Sequence, residues 1–194
     1  MNTRNNSLST KSEIFWGEIA PCKHLVQLYK NDADFLNSLE EFVCGAFEAG
    51  EGIILIVTPA HLHALEAKLR ARSFDLNAAC ERDQYIALDA KATLSKFMVG
   101  GWPEATLFQP LIRNLLARAS GNNERRVRAF GEMVALLWAD GYTQATVELE
   151  HLWDQLCKTE AFSLFCAYPR SGLTQDVNES MQEICNAHSQ VIEF

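Results

Sequence analysis

No apolar run in this 194-residue chain approaches the ~20 residues that a membrane helix needs; the longest, IILIV at 53–57 and VALLWA at 134–139, are soon interrupted. The opening MNTRNNSLSTKSE is polar and lacks the apolar centre of a signal peptide. Positive charge is also in short supply. Against 25 Asp and Glu there are 17 Lys and Arg, a formal net charge of −8, whereas surfaces for nucleic acid or anionic lipid depend on clustered Lys and Arg. The cluster of Arg125, Arg126 and Arg128 is too short to reverse this balance. These absences predict a cytoplasmic chain with neither a membrane nor a nucleic acid as a direct partner.

The signatures of common chemistries are missing too. There is no CxxC and no HExxH, and His61 and His63 fall two apart on a predicted helix, where they do not share a face. Spacing therefore predicts no metal site and no cofactor. Neither GxxxxGK[ST] nor GxGxxG occurs, and the turn after the first predicted strand reads YKNDADF. That turn puts Asp32 and Asp34 where a phosphate would need free amides and positive charge. Gly100 and Gly101 precede Trp102 and Pro103 and read as a loop, and Ser171 lacks the flanking glycines of a nucleophile elbow. The expectation is a binding module and not an enzyme.

What is present suits one globular domain: 48% hydrophobic and 22% charged residues, enough to bury roughly 70% of the unfolded surface. The six cysteines (Cys22, Cys44, Cys80, Cys157, Cys166, Cys185) are widely spaced and mostly lie in apolar segments, as buried thiols do. After a polar arm over residues 1–20, the domain at 21–194 alternates strands with helices. HLVQLY at 24–29 is the first predicted strand. A helix follows, capped by Asn31, acidic in its first turn at Asp32 and Asp34, and ended by Gly50. GIILIV at 52–57 has the continuous apolar character of a strand buried on both faces, and Thr58 and Pro59 open the next helix. YIALDA at 85–90, RVRAFGEMV at 126–134 and FSLFCAYP at 162–169 give three more strands. The helices between them include one from Pro103 that Pro110 is expected to bend, one at 143–158, and one near 176–188 before a VIEF tail. The fold class is α/β: a single three-layer domain with a mostly parallel central sheet of five or more strands flanked by helices.

Charged residues in the apolar stretch RRVRAFGEMVALLWADG mark where to look first. A period of two sends Arg126 and Arg128 to one face, and Glu132 lies near the strand's carboxyl end, where open α/β sheets form ligand crevices. Glu132 or Glu150 is the expected partner of Arg128, either as a ligand site or as a structural ion pair. Glu150 is expected on the flank of its helix, beside the stripe Ala145, Leu149, Leu152, Trp153 and Leu156. His24 and His188 are expected to hydrogen-bond locally near the chain ends, whereas Tyr168 either projects a hydroxyl into the carboxyl-end crevice or caps the core. Phe130, Trp138 and Trp102 are the candidate walls of an apolar pocket.

HLVQLYKNDADFL, GAFEAGEGIILIVTP, YIALDA, VRAFGEMVALLWADG, LEHLWDQL, FSLFCAYP and ICNAHSQVI, in that order, resemble the MEDS domain, the methanogen and methylotroph sensory domain of the DcmR type, from about His24 to Ile192. The resemblance implies a RecA/KaiC-like fold that has lost its phosphate loop, in agreement with the acidic turn. It further implies a non-enzymatic sensory domain that binds a small organic, hydrocarbon-like ligand and relays to a histidine kinase or transcription regulator. No output domain follows in this sequence, so the regulator is expected to be a separate protein, and self-association is left open. The family's motif falls on His24, Glu51, Arg128, Glu132, Glu150, Tyr168 and His188, which makes these the candidate ligand-binding residues. A ligand-free protein–protein interaction module and a residual nucleotide-binding domain are the alternatives.

Overall fold

The computed structural model describes residues 23–170 and 178–193; the polar arm, Cys22 and Ser171 lie outside them. The chain runs β1 (His24–Tyr29), α1 (Asp32–Glu48), β2 (Gly52–Val57), α2 (Pro59–Ala71), α3 (Leu76–Glu81), β3 (Tyr85–Asp89) and α4 (Ala90–Leu94). It continues through a small hairpin, β4 (Met98–Val99) and β5 (Trp102–Pro103), to α5 (Ala105–Ser120), β6 (Val127–Gly131), α6 (Met133–Ala139), α7 (Thr143–Thr159), β7 (Phe162–Pro169), α8 (Asn178–Ala187) and β8 (Gln190–Glu193). Six strands form one sheet in the order β3-β2-β6-β7-β1-β8. Every pairing in it is parallel. The expected three-layer α/β domain is therefore present.

The helices divide between the two faces because the strands alternate. Val127 and Ala129 of β6 join Val26, Leu164 and Cys166 in the core under α4 to α8, while Phe130 joins Leu25, Phe165 and Phe42 in the core under α1, α2 and α3. Continuous apolar strands serve both cores at once. Local chemistry fixes the ends of α1. Asn31 caps it by accepting from the Asp34 amide, and Gly50, at φ +68°, turns the chain so that the Glu51 amide donates to Ala46 at 2.8 Å. That turn delivers Glu51 to the amino end of β2. The next residue admits no side chain, since a Cβ on Gly52 would stand 2.2 Å from the Ala119 carbonyl oxygen.

Four features differ from expectation. Gln190–Glu193, most of the expected tail, pairs with β1 as a sixth strand, α3 occupies a stretch read as a connection, and the β4/β5 hairpin takes in Pro103, where a helix was expected to begin. The fourth predicted strand stops at Gly131, because Met133–Ala139 buries its apolar residues as a helix. α5 begins at Ala105 and carries Pro110 within it.

A buried carboxylate between two histidines

The seven candidate residues separate into three places. At the amino edge of the sheet, Arg128 is the second residue of β6 and faces α1. Its Nε donates to the Glu51 carboxylate and its Nη1 to the Phe42 carbonyl at 3.3 Å, with the guanidinium 5.6 Å from the centre of the Phe42 ring. Neither expected partner reaches it. Four residues along a strand span about 13 Å, so Glu132 stands at the other end of β6, and Glu150 belongs to the opposite face of the sheet.

Glu132 occupies the carboxyl edge, where β2 leads outward to β3 and β6 leads the other way to β7, a topological switch point. Its carboxylate accepts the Thr58 amide at 2.7 Å and the Thr58 hydroxyl at 3.3 Å, and meets His61 Nδ1 at 2.7 Å. It thereby neutralises the amino end of α2. The hydrogen bond to Glu132 pushes the His61 imidazole up from its usual range against the effect of burial. Burial, with Glu132 and Asp32 nearby, pushes Tyr29 up to about 12. No sequence spacing joins His61 or Thr58 to Glu132, since 71 and 74 residues separate them.

The other four candidates converge. His24 opens β1, Tyr168 lies near the end of β7, Glu150 projects from α7, and His188 follows α8; all are buried, Glu150 and Tyr168 completely. Glu150 Oε1 accepts the Tyr168 hydroxyl. Oε2 lies 3.3 Å from His24 Nε2 and 3.5 Å from His188 Nε2. Cys166, two residues before Tyr168 and so on the same side of β7, brings its Sγ to 3.6 Å from both Glu150 Oε2 and His24 Nε2. The first and last strands are tied here as well: the Ser189 amide and hydroxyl donate to the His24 carbonyl at 2.7 and 2.8 Å, and the His24 amide returns a bond to that hydroxyl at 3.0 Å.

Burial alone would raise the Glu150 carboxyl, but His188, His24 and the Tyr168 hydroxyl outweigh it and hold the group at about 2. Burial, reinforced by Glu150, pushes the Cys166 thiol and the Tyr168 phenol well up, and burial pushes His188 down. His188 Nδ1 bonds the Ile184 carbonyl at 2.6 Å, which obliges that nitrogen to carry the proton. His188 Nε2 and His24 Nδ1 are buried without a hydrogen-bond partner among the described residues.

Several sequence expectations change here. His188 does make a local bond, yet it and His24 also face a shared carboxylate. Glu150 is not flanking: α7 also buries Thr146, Glu150 and Cys157, a row that adjoins the predicted stripe at Trp153. Tyr168 points under α7 and not into the carboxyl crevice. Phe130 packs between Phe35 and Phe165 as core, Trp102 is 44% exposed, and of the pocket residues only Trp138 reaches the centre, edge-on to Tyr168 at 5.9 Å. A groove of about 390 Å³ lies at the amino edge, between Leu116, Val127, Phe162 and the rim residues Arg113, Arg126 and Glu160; it includes none of the seven. His24, Glu150, Cys166 and His188 present ligand atoms all within 4.8 Å of one another, a set that could hold a metal ion. Spacing gave no sign of it because four separate segments supply one ligand each.

Among curated proteins no match is found. The family model described as "MEDS: MEthanogen/methylotroph, DcmR Sensory domain" matches residues 23–189.

Proposed function

The chain belongs to the MEDS family of sensory domains, and from that premise we propose that it is a non-enzymatic cytoplasmic sensor whose signal is read at the Glu150 centre. The stimulus is a small organic molecule, hydrocarbon-like or weakly polar, and the response passes to a separate histidine kinase or transcription regulator. One observation carries this reading: four of the seven motif residues, distant in sequence, meet around one buried carboxylate whose histidine neighbours are incompletely hydrogen-bonded. A ligand that binds one arrangement of that centre better than another shifts the population toward it. The RecA/KaiC-like ancestry without a phosphate loop belongs to the same proposal. The loss of the phosphate loop is supported by the Asn31 cap and by Asp32 and Asp34 in the first turn of α1.

A thermal-shift screen against a panel of small alcohols, halogenated hydrocarbons and organic acids tests the reading. A ligand at a hundred times its dissociation constant stabilises by about 2.7 kcal/mol, so the melting temperature rises with concentration. Glu150→Gln should abolish that rise. A panel that shifts nothing favours a ligand-free interaction module, and a shift with ATP and magnesium would overturn the loss of nucleotide binding.

A further inference from the structure

We propose that His24, Glu150, Cys166 and His188 form a tetrahedral site for a divalent transition-metal ion, with zinc as the best fit. The distances carry it. A zinc ion with nitrogen and oxygen ligands at about 2.0–2.2 Å and a thiolate at about 2.3 Å spaces its ligands, at tetrahedral angles, about 3.4 Å apart for nitrogen to oxygen and about 3.6 Å for sulfur to either. The side chains already stand at 3.3 Å (His24 Nε2 to Glu150 Oε2), 3.5 Å (His188 Nε2 to Glu150 Oε2), 3.6 Å (Cys166 Sγ to His24 Nε2) and 3.6 Å (Cys166 Sγ to Glu150 Oε2). The other two edges, from His188 Nε2 to His24 Nε2 and to Cys166 Sγ, lie within 4.8 Å.

The outer contacts of His188 and Glu150 agree, while His24 Nδ1 has no hydrogen-bond partner among the described residues. Because His188 Nδ1 donates to the Ile184 carbonyl, a neutral ring turns the lone pair of its Nε2 toward Oε2, and two lone pairs facing each other in a buried space repel. A cation between them removes the conflict. The carbonyl contact is also the one that metal-bound histidines make to fix their tautomer, and the Tyr168 hydroxyl engages Oε1, leaving Oε2 for the ion. Charge closes as well: on binding, Cys166 releases its Sγ proton to solvent, so thiolate and carboxylate together offset a 2+ ion inside a fully buried space. Four protein ligands complete a tetrahedron, the pattern of a structural or sensed ion.

Cobalt(II) is the probe, offered both to the chelator-treated native domain and during refolding from urea, with Cys80→Ser as background to remove the exposed thiol. One ion per chain is expected, with the intense visible bands of tetrahedral cobalt and a near-ultraviolet thiolate charge-transfer band. Cys166→Ser should lose the charge-transfer band, and Tyr168→Phe should weaken binding about 10–100-fold while keeping it. Zinc should displace the cobalt and raise the melting temperature of the wild-type domain. The proposal fails if the wild-type domain takes up neither cobalt nor zinc by either route, or if uptake is the same in Cys166→Ser and His188→Gln. It stands apart from the sensory reading: a domain that loads cobalt and answers no organic ligand keeps this inference and loses that one.

Discussion

Glu51 and Glu150 are both buried carboxylates, on opposite faces of one sheet, and the protein treats them differently. Glu51 has an arginine committed to it, and that arginine is in turn held by the Phe42 carbonyl and ring. Glu150 is offered two histidines, a thiol and a phenol, none of them a permanent charge, and two ring nitrogens there have no hydrogen-bond partner among the described residues. Arginine stays protonated in any protein environment, so the first arrangement has one state. Histidine can be neutral or charged, so the second is not confined to one state. The same family motif thus contains a strut and a centre that can respond.

The largest expected effect tests the strut. Arg128→Ala leaves Glu51, only 7% exposed, as an uncompensated charge, and removing one partner of such a pair costs about 3–5 kcal/mol. The urea midpoint should fall accordingly at unchanged slope, and cobalt uptake measured below the melting point should not change. Replacing both partners with apolar residues, Arg128→Met with Glu51→Leu, should recover most of the loss. A single-variant cost under about 1 kcal/mol would mean that the pair is open to water and the contrast with Glu150 is false. A smaller effect tests the centre. In the metal-free domain Tyr168→Phe removes a hydrogen bond to a charged acceptor, worth about 1.5–3 kcal/mol. Unlike the loss at Arg128, this one should alter metal affinity as well as stability.

The division between strut and centre was only half legible in the sequence. Period and capping gave the sheet, because β2, β6 and β7 are continuous apolar runs and Asn31, Gly50 and Pro59 punctuate the helices between them. The failures were of pairing. Arg128 was matched to Glu132 by a separation that brings side chains together on a helix but not along a strand. Glu150 was placed on a flank because α7 carries two adjacent buried stripes, and only tertiary packing reveals the second. Cys166 could have been found from Tyr168, since side chains two apart on β7 share a face. His24 and His188 could not be joined by any local rule: β8 pairs beside β1, and that pairing of the first and last strands brings them together.

The third place, Glu132, supplies the intermediate case and the smallest effect. Its histidine partner is partly exposed, and the bond to Glu132 raises the folded-state pKa of His61 above that of the unfolded chain. A raised histidine contributes stability that is fully present below the unfolded value, near 6.5, and is lost as pH climbs through the folded value. Between those two points the domain should therefore weaken with rising pH, by under about 1 kcal/mol given solvent screening. Urea midpoints taken across that window on wild type and His61→Leu would show it, the slope vanishing in the variant. A slope that survives unchanged in His61→Leu would mean that the His61–Glu132 bond is not its source, since burial lowers the His188 imidazole and a lowered histidine gives stability that rises with pH instead.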